Sequence, residues 1–176
     1  MSLDRRWIEA HLKHAGSMCL LDEVLGWDAA GIRCRAATHR APDHPLRAHG
    51  RLGAACGIEY AAQAMALHGA LLAAGEVMPA SPGVGHPQTP SGFLASARGV
   101  RMRVLRLDDI AADLICTATR VTGDPDAVVY DFSVEAASPA VAEVVPLISG
   151  RVTIVLRSHI AGRLAPAPSG AGTLHR

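Results

Sequence analysis

The chain has 176 residues, enough for one domain with a substantial buried core. Apolar residues make up 49% but aromatics only 3%, so that core must be built from Ala, Val, Leu and Ile. Seventeen basic against sixteen acidic residues leave a formal charge of +1, without the basic excess of a general nucleic-acid binder.

Asp4 stands where it can cap a short helix carrying Trp7, Ile8 and Leu12, with Gly16 near its end. The N-terminus shows no apolar signal core and no uncharged apolar run reaches bilayer length, so the expected protein is cytoplasmic, with no membrane span. Residues 19–27 and 31–38 read as two strands joined through Asp28-Ala29-Ala30-Gly31. Residues 39–51, rich in Pro, His, Gly and Arg, read as a loop. From Leu52 to Ala74 the Ala and Leu content predicts a long helix, with Gly75 as a natural stop. That helix is apolar nearly all the way round, so it belongs inside something. Residues 78–90 are loop by composition. Strands follow at 92–105, 109–121, 128–136 and 150–157, two of them joined by the turn Gly123-Asp124-Pro125-Asp126. Residues 138–149 form a longer connection, and the stretch from 160 to 176 is expected to be a disordered tail after a single domain at 1–159. One sheet curled around one buried helix satisfies this order best, an α+β architecture of the hot-dog kind.

The long helix carries one unusual residue. Glu59 is a lone carboxylate in a small, apolar segment, and Gln63 lies one turn on, on the same side. Burying such an acid is costly unless it is paired or neutral, which points to chemistry. The bland alternative is a carboxylate that reaches solvent or an arginine. His49 lies ten residues before it and His44 fifteen, both in the loop. His14 is assigned to hydrogen bonding within the N-terminal turn, and His68 to the core or an interface. Cys19, Cys34, Cys56 and Cys116 are scattered without C-x-x-C spacing, and no H-x-x-x-H occurs, so no metal site is expected and the cysteines read as small hydrophobes of a reducing compartment. Arg98, Arg101, Arg103 and Arg106 form the densest basic group. Solvation of a strand edge explains them simply; docking of an acidic partner is the functional reading, which Arg47 and Arg51 could join.

Three segments carry a family resemblance. H-A-G-S-M-C-L-L-D-E-V (14–24) resembles the P-H-x-x-P-M-x-L-L-D-x-V opening of the 3-hydroxyacyl-acyl-carrier-protein dehydratases. G-I-E-Y-A-A-Q-A-M-A (57–66) resembles that family's central-helix signature, an acid followed four residues later by Gln. G-F-L-A-S-A-R-G-V-R-M (92–102) resembles the strand after the helix. The ensemble is most similar to the dehydratase-like branch of aryl-polyene-type pigment clusters.

The resemblance implies a hot-dog fold, an antiparallel sheet wrapped around one long central helix, paired with a second copy or a related hot-dog subunit. It implies dehydration of 3-hydroxyacyl thioesters to trans-2-enoyl thioesters, with the substrate on the phosphopantetheine of an acyl carrier protein and no other cofactor. Glu59 matches the catalytic acid and Gln63 its neighbour. Backbone amides near Gly53 and Gly57 would polarise the carbonyl, and the acyl chain would run toward Ala61, Ala62 and Ala64. The base is His49 if Pro45-Leu46 matches the family's P-F, and His44 if the gap in the loop lies elsewhere. Acid and base are expected from different subunits, and Arg98, Arg101 and Arg103 would dock the carrier. Two rivals share the fold: an acyl thioesterase, and a non-catalytic acyl-binding or heterodimer partner.

Overall fold

The computed structural model describes residues 3–76, 92–138 and 145–156. Asp4 caps helix α1 (Arg5–His11) by accepting the Trp7 amide at 3.1 Å. Strands β1 (Glu23–Trp27) and β2 (Gly31–Ala36) form a hairpin. Its turn is set by the Asp28 carboxylate, which accepts the Ala30 and Gly31 amides at 2.7 and 3.0 Å. Helix α2 (Gly57–Glu76) follows, then β3 (Gly92–Met102), β4 (Leu114–Gly123), β5 (Ala127–Ala136) and β6 (Ile148–Leu156). The six strands make one antiparallel sheet in the order β1-β2-β4-β5-β6-β3. Gly31 is needed where β2 begins to pair with β4, because a Cβ there would stand 2.5 Å from the Ala118 carbonyl oxygen.

The sheet wraps α2, which packs on β2, β4 and β5, so the expected α+β hot-dog arrangement is the one observed. Leu20, Leu21, Leu52, Tyr60, Leu67, Leu107, Leu114 and Ile148 are all fully buried. Each contributes about 1.5–3 kcal/mol by leaving water. Among the described residues β3 lies at an edge of the sheet and pairs only with β6. Its register shifts twice, once around Gly99 at φ +59°.

Element boundaries depart from the sequence expectation for local reasons. The helix begins five residues late because Leu52 and Ala54 are bonded to the segment after β3: Leu107 N–H donates to Leu52 O at 2.8 Å and Ala54 N–H to Leu105 O at 3.0 Å. Residues Ala54–Cys56 tighten into a 3-10 turn, and Gly75 sits inside the helix. β1 starts at Glu23, not 19, because the Leu20 amide bonds to the Gln63 side chain. β2 ends at Ala36, and Thr38–Arg40 form a 3-10 turn. β3 stops at Met102. β4 starts at Leu114, since the residues before it are pinned by side chains: Arg40 donates to Ala111 O at 3.1 Å and to Asp113 at 2.6 Å. Residues 78–90 and the tail from 160 lie outside the described residues. All four cysteines are free, three of them buried. No helix among the described residues is long and apolar enough to cross a membrane.

Candidate functional site

A cavity of about 580 Å³ runs along α2, between the helix and the β3–β6 side of the sheet. On the helix it is floored by Glu59, by the small residues Ala62, Ala66, Gly69 and Ala73 at alternating spacings of three and four, and by Met65 and Leu72. From Glu59 to Ala73 the helix rise gives about 21 Å. Phe93 and Leu94 of β3, Tyr130 of β5 and Ile154 of β6 form the opposite wall, and Leu12, Lys13 and His14 line it as well.

Glu59 is half-buried, with 34% of its side chain exposed. Its Oε1 accepts from Gln63 Nε2 at 3.1 Å and faces His14 Nε2 at 3.5 Å. Gln63 is fully buried and its amide orientation is dictated by its partners. Its Oε1 accepts the Leu20 amide at 2.9 Å, and its Nε2 donates to Met18 O at 2.9 Å as well as to Glu59. One side chain therefore aims the carboxylate and fastens the segment after α1 to the helix.

The two histidines expected as bases stand elsewhere. His44 is buried, and its Nδ1 accepts the Leu46 amide at 3.1 Å, so Nε2 carries the proton and donates to the Tyr60 hydroxyl at 2.9 Å. Tyr60 in turn donates to Thr38 Oγ1 at 2.9 Å, and Thr38 to Leu20 O at 2.6 Å. Burial holds the His44 pKa below its ordinary value and pushes the Tyr60 phenol up. His49 is exposed at the tip of a tight turn, at φ +51° beside Gly50 at φ +73°, closed by Ala48 N–H to Arg51 O at 2.9 Å and Arg51 N–H to Ala48 O at 3.0 Å. Behind the turn, the Asp108 carboxylate accepts from Arg47 at 3.0 Å, from the Leu52 amide at 3.0 Å and from Arg106; the Arg106 guanidinium holds Asp108 well below the usual carboxylate range. Neither His44 nor His49 lines the cavity.

Of the other candidates, Ala62 lines the cavity, while Gly53, Gly57, Ala61 and Ala64 do not. The Gly57 amide is already spent on Ala54 O and Ala55 O, and the Cys56 amide on Gly53 O. Arg98, Arg101 and Arg103 are exposed and make no ion pair among the described residues. Arg106 leaves that group by pairing with Asp108 and Asp109, and Arg47 with Asp108. His68 is a satisfied core residue: Nε2–H donates to Asp28 O at 2.7 Å and Nδ1 accepts from Tyr130 at 2.8 Å. No group of three metal-binding side chains forms among the described residues.

The residue that sequence reasoning misplaced is His14. It makes no hydrogen bond in the N-terminal turn; Nδ1 is buried without a partner among the described residues and Nε2 faces Glu59. The signal was present, since His14 opens the first matched segment and Gln63 holds that same segment. Acid and imidazole side by side at a groove of small and apolar residues can move protons on a chain lying in it.

A family model described as ApeP-like, ApeP dehydratase, matches residues 6–154. Among solved structures, the dehydratase heterocomplex ApeI:P from Xenorhabdus doucetiae is similar at TM-score 0.66 and 18% identity, covering 87% of this chain and 92% of that one. A mutant thioesterase from Pseudomonas aeruginosa is similar at TM-score 0.53 and 11% identity, covering 87% and 93%. Both likenesses are of the fold. No curated protein matches the sequence.

Proposed function

We propose a function from one premise: the chain belongs to the ApeP-like dehydratase family. On this reading it removes water from 3-hydroxyacyl thioesters, giving trans-2-enoyl thioesters, with the substrate delivered on the phosphopantetheine arm of an acyl carrier protein in the cytoplasm. The observation that carries the reading is Glu59, aimed by Gln63 into a cavity whose floor continues as apolar residues, most of them small. The acyl chain lies along that floor. Glu59, as a carboxylic acid, gives its proton to the departing 3-hydroxyl. A histidine takes the proton from C2, whose bonding electrons become the new double bond as the C3–O bond breaks. The thioester carbonyl acidifies that proton, so the step calls on no cofactor beyond the phosphopantetheine.

Two features of β3 support partners. It is an edge strand of the sheet among the described residues, and Phe93 and Leu94, each 42% exposed, form part of the cavity wall. A second hot-dog subunit, identical or related, would cover that edge and close the groove; the structural neighbour from Xenorhabdus is itself a heterocomplex. The exposed Arg98, Arg101 and Arg103 on and just beyond the same strand supply positive charge for an acidic carrier.

The test is to incubate the full chain with a 3-hydroxyacyl carrier protein and follow the acyl group by mass. Loss of one water is expected. Release of a free acid would instead mark a thioesterase, and unchanged but bound substrate a non-catalytic partner. Glu59→Gln should lower dehydration by about 100-fold or more; full activity in that variant would remove Glu59 from the site.

A further inference from the structure

We infer that His14 is the catalytic base, acting on the same substrate as Glu59 of its own chain; the inference rests on the dehydratase reading above. Among the described residues of this chain two histidines line the cavity, His11 and His14. His11 is committed, its Nδ1 bonded to Trp7 O at 2.8 Å and its ring stacked on Trp7 at 3.8 Å. His14 is not. The structural histidines each commit at least one nitrogen, both in His44 and His68 and Nε2 alone in His39. Neither nitrogen of His14 makes a hydrogen bond among the described residues, and its Nε2 faces Glu59.

The backbone on either side of His14 is anchored. Leu12 and Leu20 are buried in the core, and Gln63 bonds to Met18 O and the Leu20 amide. The same Gln63 bonds to Glu59, so one buried side chain sets the positions of acid and base together. Their separation of 3.5 Å suits neighbouring carbons of one chain, the C2 hydrogen and the C3 hydroxyl being presented to a common wall.

The proton balance closes within the pair. Neutral His14 takes the C2 proton and becomes imidazolium. Protonated Glu59 gives its proton to the hydroxyl, which leaves as water, and becomes carboxylate. One proton then passes from His14 to Glu59 across the same gap, restoring the starting state without another group.

The base is separated from the acid by using two probes on the full chain in D₂O: 3-hydroxyhexanoyl-pantetheine, which can lose water, and hexanoyl-pantetheine, which can only exchange its C2 hydrogen. Glu59→Gln should lose dehydration and keep C2 deuteration within about threefold, whereas His14→Gln should lose both by about 100-fold or more. His14→Leu should behave as His14→Gln. Since His14 makes no hydrogen bond among the described residues, both variants should melt cooperatively near the parent temperature, read by circular dichroism. Deuteration by His14→Gln at the parent rate, or none by the parent chain, overturns the assignment. Deuteration that needs His14 without dehydration by the parent chain keeps the base and discards the dehydratase reading.

Discussion

Gln63 is where stability and chemistry share a side chain. Removing it with Gln63→Ala strands the buried Leu20 amide, at about 1–3 kcal/mol, and takes the Gln63 donor from the half-buried Met18 carbonyl. The same change frees Glu59 and the His14 segment to drift, so turnover should fall further than the loss of stability alone explains. Urea unfolding and single-turnover dehydration measured on the same preparation check this; a stable but fully active Gln63→Ala would refute the shared role. The sequence shows Glu59 and Gln63 plainly, because an acid and an amide four apart on a helix are a local pattern. It hides their third partner. Gln63 reaches Met18 and Leu20 across more than forty positions, a contact made only when the segment after α1 docks. For the same reason the loop histidines were hard to tell apart. Nothing near His44 in sequence reveals that Tyr60, on the helix, will take its Nε2–H.

At the scale of elements, α2 and the strands were legible from composition and turn residues, and their ends were not. Each misplaced boundary falls where a side chain or a distant backbone group replaces the regular ladder: Gln63 at Leu20, Leu107 at Leu52, Arg40 at Asp113. The face of α2 that floors the groove was equally hidden, since a helix apolar all round gives no polar stripe to mark the open side. That floor yields a prediction. Ala66 lies seven residues beyond Glu59, about 10 Å along the helix. Ala66→Phe should block the groove there, lowering kcat/KM for long acyl chains by about tenfold or more while sparing short ones. Its cost to stability should be small, about 0.5 kcal/mol from helix propensity. Measuring kcat/KM across a series of acyl lengths decides it, and an equal loss at every length would mean the chain does not run along α2.

For the molecule as a whole, the scarcity of aromatics is met by giving the few a second task. Tyr60 and Tyr130 are buried, and each bonds to a buried histidine, His44 and His68. A third buried histidine, His39, reaches Ile110 O at 3.0 Å. Together they tie the loop after β2, the turn before β4 and the β1–β2 hairpin to the core. In all three, burial is the main cause that holds the pKa below its ordinary value. In the unfolded chain a histidine takes up a proton near pH 6.5, whereas in the folded protein it does so only at lower pH. Within that window the unfolded state binds more protons, so stability rises with pH. The contribution is complete above about pH 6.5 and is lost as the pH falls through the lowered folded values. The urea midpoint should therefore drop between pH 7.5 and pH 5, beyond what exposed carboxylates cause at still lower pH. His39→Gln, His44→Gln and His68→Gln should each lower the midpoint at pH 7.5 and flatten its dependence on pH. A parent chain equally stable at pH 5 and pH 7.5 would show that these three side chains charge as readily inside the fold as outside it.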